Sequence, residues 1–188
     1  MKIGFDFDKV FVDYPPFVPD FIIDYLYKNH KKSKEKYRYP NTIEQQLRIA
    51  SHHPILRRPI KKNVEVLKII SKNKNNQIFL VSSRFSILSK RTEQLLMQYV
   101  IKKYFKELYF NYENRQPHEF KYNRIKSLGL DYYIDDDLDL LSYLSRKKID
   151  TKLFWLDGTL FVNKKRIPKN ITMMHNLSEI LIHIKNDK

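Results

Sequence analysis

Apolar residues along this chain occur in two patterns: one repeats at helical spacing, and the other forms short unbroken runs. Val64, Leu67 and Ile70 lie on one face of a helix, and the run 78–81 has the unbroken apolar character of a strand buried on both faces. Helix and strand patterns then alternate as far as residue 184. This alternation predicts right-handed crossovers and a mainly parallel sheet with helices on both faces, which is an α/β fold.

The same patterns give the individual elements. The predicted strands span residues 2–7, 78–81, 108–110, 132–134 and 153–156. The predicted helices span residues 19–29, 42–50, 63–71, 87–100, 120–128, 138–144 and 177–184. Asn41 or Thr42, with Glu44 nearby, predicts a cap at the start of the second helix, and Gly129 predicts the end of the fifth.

Polar residues follow three of the predicted strands at their carboxyl ends. Asp6 and Asp8 close the first strand, Ser82 follows the strand 78–81, and Asp135 and Asp136 follow the strand 132–134. In a parallel α/β sheet the carboxyl ends of the strands form the ligand-binding edge. Two acids at the mouth of a buried strand are costly unless a metal or a reacting group uses them. The sequence therefore predicts a site at this edge.

Composition narrows the class of protein. The chain has 188 residues, enough for one domain with a small insertion, and it has no cysteine, which rules out disulfides and thiolate metal sites. No apolar run approaches the roughly 18 residues of a membrane span, and no signal segment opens the chain, so a cytoplasmic protein without a membrane partner is expected. The net charge of +15 favours a phosphate-bearing or nucleic-acid partner, with a plain lysine-rich composition as the alternative. The oligomeric state is left open.

Four short motifs, in order along nearly the whole chain, resemble those of the haloacid dehalogenase (HAD) superfamily. The first is Phe5-Asp6-Phe7-Asp8-Lys9-Val10, and the second is Leu80-Val81-Ser82. Lys121 resembles the third motif, and Ile134-Asp135-Asp136 the fourth. Within the superfamily, the phrases 81–84 and 121–136 are most similar to the 5′(3′)-deoxyribonucleotidase-like group. The resemblance implies a three-layer, Rossmann-like core and a phosphatase activity.

The resemblance also implies a role for each residue. Asp6 would be the nucleophile that forms an aspartyl-phosphate, and Asp8 the acid and base that serves the leaving group and the water. Ser82 would hydrogen-bond a phosphoryl oxygen, and Lys121 would neutralise charge on the nucleophile and on the transferred group. Mg²⁺, a cation that prefers oxygen ligands, would be bound by Asp6, the backbone carbonyl of Asp8, Asp135 and Asp136.

Several assignments have competitors. Ser83 competes with Ser82, and Lys126 competes with Lys121, although the spacing of Lys121 to the fourth motif matches the family phrase. Arg84 is either a contact to substrate or a structural ion-pair partner. Lys9 stands where the family commonly has glycine, which adds a cation near the nucleophile and puts substrate fit in question. Ser83, Arg84 and Lys9 are therefore the candidate substrate-binding residues.

Residues 14–58 are too long for a simple crossover and resemble the small helical cap of many HAD members, inserted into a core of residues 1–13 and 59–188. A cap of this kind excludes water and contacts the leaving group. Its aromatic residues either stack on a base or pack the cap itself, and its basic stretch 28–38 either meets phosphate or faces water. The aromatic residues concerned are Phe17, Tyr25, Tyr37 and Tyr39.

The expected function is a Mg²⁺-dependent phosphatase that hydrolyses a phosphomonoester, with a nucleoside monophosphate as the plausible substrate. The net charge favours an alternative, a nucleic-acid end-processing phosphatase. A third hypothesis is a non-catalytic binding or regulatory module with the same fold, against which the intact Asp6 and Asp8 argue. Dehalogenase activity is disfavoured because carbon–halogen cleavage does not need an acid such as Asp8.

Overall fold

Six strands form one parallel sheet at the centre of the protein. The computed structural model describes residues 1–15, 39–157 and 167–187. The strands are β1 (Lys2–Phe5), β2 (Gln77–Phe85), β3 (Glu107–Asn111), β4 (Tyr132–Asp135), β5 (Lys152–Leu156) and β6 (Ile171–Met174). Their order in the sheet is β3-β2-β1-β4-β5-β6, and every neighbouring pair is parallel. The predicted α/β class with a parallel sheet is confirmed.

Helices cover both faces of this sheet. They are α1 (Thr42–Ser51), α2 (Lys61–Ser71), α3 (Ser89–Gln98), α4 (Pro117–Leu128), α5 (Leu138–Arg146) and α6 (Ile180–Asn186). Apolar residues of α2, α3 and α6 pack on one face of the sheet, and those of α4 and α5 pack on the other. The result is the three-layer arrangement that the sequence predicts. None of the helices in the described parts of the chain has the length and apolar character needed to cross a membrane.

The two predicted helix caps are confirmed, and the other helix ends in the described part of the chain lie within three residues of their predicted positions. Asn41 caps α1 through the backbone N–H of Glu44, and the Glu44 side chain accepts from the Asn41 N–H in return, which is a complete capping box. Gly129 follows α4 with a φ of 58°, the left-handed conformation that favours glycine. The predicted helix 19–29 and the basic stretch 28–38 lie outside the described residues.

Three strand predictions need correction. The first strand ends at Phe5 rather than residue 7, because only the N–H of Asp6 continues the pairing with β4 before the chain turns. Residues 82–84 do not end the second strand, since β2 pairs with β3 as far as Phe85 after an irregularity in register. β6 is missing from the prediction because it has only four residues and Thr172 interrupts its apolar pattern at the edge of the sheet.

The order of the strands fixes where a site can form. The chain passes from β1 to β2 and β3 on one side, and then returns to place β4 on the other side of β1. This change of direction opens a crevice at the carboxyl ends of the central strands, the usual ligand position in such sheets.

Candidate active site

All the predicted site residues line one cavity of about 990 Å³ at the carboxyl ends of β1, β2 and β4. They come from widely separated parts of the sequence, and the fold brings them together. Their distribution follows the strands, with the first motif after β1, the second on β2 and the fourth at the end of β4. The residues are Asp6, Asp8, Lys9, Ser82, Ser83, Arg84, Lys121, Asp135 and Asp136.

Lys121 joins the acids that follow β1 and β4. Its ammonium group lies 2.9 Å from Asp6 Oδ1 and 2.6 Å from Asp135 Oδ2, and all three side chains are buried. Burial would lower the pKa of Lys121, but Asp135 and Asp6 outweigh it and raise that pKa well above its usual range. Lys121 therefore stays a cation between two acids. Lys126 lies instead over the ring of Tyr122, 5.8 Å from its centroid, and is not among the described residues that line the cavity, so the geometry favours Lys121 over its competitor.

The carboxylates of Asp6, Asp135 and Asp136 form a compact group of oxygen donors. One oxygen atom of each lies within 4.8 Å of the others. Burial, together with the charges of Asp135 and Asp8, raises the pKa of Asp6 to about 7 against the opposing effect of Lys121. Burial and the charges of Asp135 and Asp6 also raise the pKa of Asp136 well above its usual range. When all three acids are ionised, the cluster carries more negative charge than Lys121 balances.

Two further contacts fix the carboxylate of Asp135. The hydroxyl of Tyr133 donates to Asp135 Oδ2 at 2.8 Å, and the backbone N–H of Asp137 donates to Asp135 Oδ1 at 3.0 Å. Sequence reasoning missed Tyr133. The alternation of a strand places Tyr133 and Asp135 on the same face, and this signal was available in the sequence.

Asp8 points to a different set of partners from Asp6. Arg84 binds it with both ends of its guanidinium, Nε to Oδ2 at 2.8 Å and Nη2 to Oδ1 at 2.7 Å, and Arg57 forms a second ion pair with Oδ1. Burial alone would raise the pKa of Asp8, but Arg84 and Arg57 outweigh it and hold that pKa well below its usual range. The two arginines therefore disfavour protonation of Asp8.

Arg84 thus has the ion-pair partner that one of its two interpretations requires, while a role in substrate binding stays a prediction.

Arg57 was missed by sequence reasoning, since it lies in the segment predicted as a cap with no motif around it. It is 1% exposed, and its guanidinium lies 5.0 Å from the ring of Tyr14. The division into core and cap stays a prediction.

His52 also lines the cavity. Its Nδ1 lies 2.7 Å from the carbonyl oxygen of Arg48, which gives the buried ring one fixed hydrogen bond. Burial and the charges of Arg84 and Arg57 lower the pKa of His52 well below its usual range. His52 is therefore a neutral, buried part of the cavity wall.

The choice between Ser82 and Ser83 stays open. Ser82 is 1% exposed. The hydroxyl oxygen of Ser83 is buried and has no hydrogen-bond partner among the described residues. Both line the cavity, so both can donate to an anionic group there.

Of the four aromatic residues predicted to stack on a base or to pack the cap, only Tyr39 falls within the described part of the chain. Its ring contacts Phe85 edge to face, with 5.2 Å between centroids. Tyr39 does not line the cavity among the described residues. Phe17, Tyr25 and Tyr37 lie outside that part.

The fold matches solved structures of HAD proteins along nearly their whole length. A HAD phosphatase from Thermococcus onnurineus is 13% identical, with 98% of each chain covered and a TM-score of 0.62. A protein from Thermotoga maritima assigned as a β-phosphoglucomutase is 14% identical, with 98% of each chain covered and a TM-score of 0.65. A HAD-hydrolase from Bacillus subtilis, solved with bound magnesium, is 14% identical, with 98% of each chain covered and a TM-score of 0.62.

These likenesses establish the fold of the chain as that of the HAD-superfamily hydrolases. The sequence matches no protein-family model and no curated protein at a significant level. The narrower resemblance to the 5′(3′)-deoxyribonucleotidase-like group stays a prediction.

Proposed function

We propose that this protein is a Mg²⁺-dependent phosphatase that hydrolyses a phosphomonoester through an aspartyl-phosphate on Asp6, with a nucleoside monophosphate as the plausible substrate. One observation carries the proposal: Lys121 bridges Asp6 and Asp135, from two neighbouring strands, in a cavity at the carboxyl edge of the sheet. A carboxylate beside a permanent cation is suited to attack an anionic phosphoryl group, because the cation offsets the charge of both.

The donor set fits a hard divalent cation. Asp6, Asp135 and Asp136 offer oxygen atoms within 4.8 Å of one another, and their excess negative charge favours a cation between them. These three residues, with the backbone carbonyl of Asp8, would hold Mg²⁺. The bound ion would supply positive charge where the phosphoryl oxygens gather.

The protein residues account for the remaining chemistry. A carboxylate oxygen of Asp6 forms a bond to phosphorus while the bond from phosphorus to the leaving oxygen breaks. Lys121, 2.9 Å from Asp6 Oδ1, offsets the charge that accumulates, and Ser82 or Ser83 donates to a phosphoryl oxygen. Water then attacks the aspartyl-phosphate, releases phosphate and restores Asp6.

The ion pairs of Asp8 with Arg84 and Arg57 suit one of its two proposed roles, that of the general base. Held as a carboxylate by Arg84 and Arg57, it is in the form that accepts a proton from the attacking water. Donation of a proton to the leaving oxygen needs the protonated form, which the two arginine contacts disfavour. The two halves of the reaction thus place different demands on this carboxylate.

Phosphate release from p-nitrophenyl phosphate and from a panel of nucleoside monophosphates, with MgCl₂, tests the proposal. We expect Asp6→Asn to lower kcat by at least about 1,000-fold, since it removes the nucleophile. Asp150→Asn is a matched control, because Asp150 is an exposed aspartate just before β5, at the opposite edge of the sheet. Acid quenching should also trap a phosphoryl group on the tryptic peptide of residues 3–9. Inactivity on every phosphomonoester would favour a non-catalytic binding module instead.

A further inference from the structure

Lys9 holds a backbone conformation that its residue type disfavours. Its φ is 57°, in the left-handed region where a side chain crowds the backbone and glycine is preferred. Two hydrogen bonds enforce this turn: the N–H of Val10 donates to the carbonyl of Asp8 at 2.6 Å, and the N–H of Lys9 donates to the carbonyl of Val12 at 2.8 Å. Backbone strain of this kind beside a reactive site points to a role for the side chain.

The side chain of Lys9 is directed to the cavity wall. Its Nζ lies 4.5 Å from the centre of the Tyr14 ring, and both residues line the cavity. The guanidinium of Arg57 also lies over the ring of Tyr14, and it forms an ion pair with the Asp8 carboxylate. Lys9 is therefore part of one packed group with the residues that surround Asp8.

This group is distinct from the cation that serves the reacting phosphoryl group. Lys121 is buried and bound to Asp6 and Asp135, whereas Lys9 is half-buried and follows Asp8 directly in the chain. Under the proposed function Asp8 acts on the leaving group and on water. A cation next to Asp8 is thus suited to contact the leaving-group side of the substrate.

We propose that Lys9 is a specificity-determining residue that binds a second anionic group, a phosphate or phosphodiester, on the leaving group of the substrate. This inference rests on the proposed function and names its substrate class: a phosphomonoester with another phosphate nearby. A nucleoside bisphosphate and the phosphorylated end of a nucleic-acid strand share this chemistry. The net charge of +15 suits either source.

The test compares substrates that differ only in the second charge. One pair is a nucleoside monophosphate and the corresponding 3′,5′-bisphosphate. The other is a terminally phosphorylated oligonucleotide with either a phosphodiester or an uncharged methylphosphonate as the adjacent linkage. We expect wild-type kcat/KM to be at least about 10-fold higher for the charged member of one pair or both, and the pair that shows the preference identifies the source.

Variants at position 9 separate charge from folding. Lys9→Met should lower kcat/KM more for the substrate with the second charge than for the substrate without it, and so remove most of the preference, and Lys9→Arg should keep it. Lys9→Gly should also remove it, yet raise the urea midpoint of unfolding, since glycine relieves the left-handed φ. Lys103→Met is the matched control, because Lys103 lies over the ring of Tyr104 at 5.3 Å but outside the cavity lining.

Two results would overturn the inference while leaving the proposed function intact. One is wild-type hydrolysis with equal kcat/KM for both members of both pairs. The other is an equal loss on both members in Lys9→Met. Absence of hydrolysis for all four substrates and for p-nitrophenyl phosphate would overturn the proposed function, and this inference with it.

Discussion

Arg57 and Asp8, 49 residues apart, form a partly buried ion pair between the segment predicted as a cap and the turn that follows β1. Arg84 binds the same carboxylate from β2, so that one acid holds two guanidinium groups. Asp6, two residues earlier, has the opposite surroundings: one lysine shared with a second acid. The two aspartates of the first motif should therefore affect stability in different ways.

We expect Asp8→Asn to lower the free energy of unfolding by about 3–5 kcal/mol, because it leaves two buried guanidinium groups without their carboxylate. Asp6→Asn should change it by less than about 1 kcal/mol or increase it, because Lys121 keeps Asp135 and the acid cluster loses one charge. Urea denaturation of both variants at pH 7, without divalent ions, measures the difference. Similar losses in both would contradict this account of the two acids.

The excess negative charge of the cluster predicts stabilisation by Mg²⁺. At 100 times its Kd, the ion contributes about 2.7 kcal/mol, which corresponds to roughly 8 °C in Tm for a chain of this size. Asp135→Asn should remove most of this shift, since Asp135 offers one of the clustered oxygens. Asp139→Asn, in the first turn of α5 and outside the cluster, should keep it. An equal shift in wild type and Asp135→Asn would exclude Asp135 as a ligand.

Tyr133 should tune the affinity of the same site. Its hydroxyl donates to Asp135 Oδ2 at 2.8 Å and so helps to orient this carboxylate. We expect Tyr133→Phe to weaken Mg²⁺ binding about 10-fold, as loss of a supporting hydrogen bond does in other metal sites. Thermal-shift titration with MgCl₂ gives the affinity. Tyr109→Phe, which removes a hydroxyl that donates to Glu107 away from the cavity, should bind Mg²⁺ like the wild type.

His52 should make stability depend on pH. Its pKa in the folded protein lies well below 6.5, so at pH values under about 6.5 the unfolded chain takes up a proton that the folded chain does not. The free energy of unfolding should therefore fall as pH decreases, by up to about 1.4 kcal/mol per pH unit from this group. His52→Asn should reduce that slope between pH 7 and 5 in urea titrations, whereas His53→Asn should not. An unchanged slope in His52→Asn would show that His52 takes up its proton equally in both states.

The fold followed from the sequence to a large extent. The structure contains the helix predicted from Val64, Leu67 and Ile70 and the strand predicted from the apolar run of β2. Both elements could be predicted because the spacing of apolar residues reflects which positions are buried. The capping residues Asn41 and Gly129 act on their own backbone neighbours and could also be predicted. The edge strand β6 could not be predicted, because only two of its four residues are buried and its apolar pattern is weak.

The candidate site followed only in part. The residues of the four motifs were predicted to meet, because parallel strands place their carboxyl ends together. The contact partners were not predictable in the same way. Arg57 carries no local signal, and the choice between an ion pair and a substrate contact at Arg84 needed the position of Asp8.

The sequence by itself determined the order of the helices and strands other than β6, and with it the edge of the sheet where Asp6, Ser82 and Asp135 meet. Only the tertiary structure decided that Asp6 shares Lys121 with Asp135 while Asp8 is held between Arg57 and Arg84. The burial pattern of a helix or strand depends on residues that are only a few positions apart, so it can be predicted from the sequence. The charge state of a buried acid depends instead on which distant cations the fold brings within hydrogen-bonding distance.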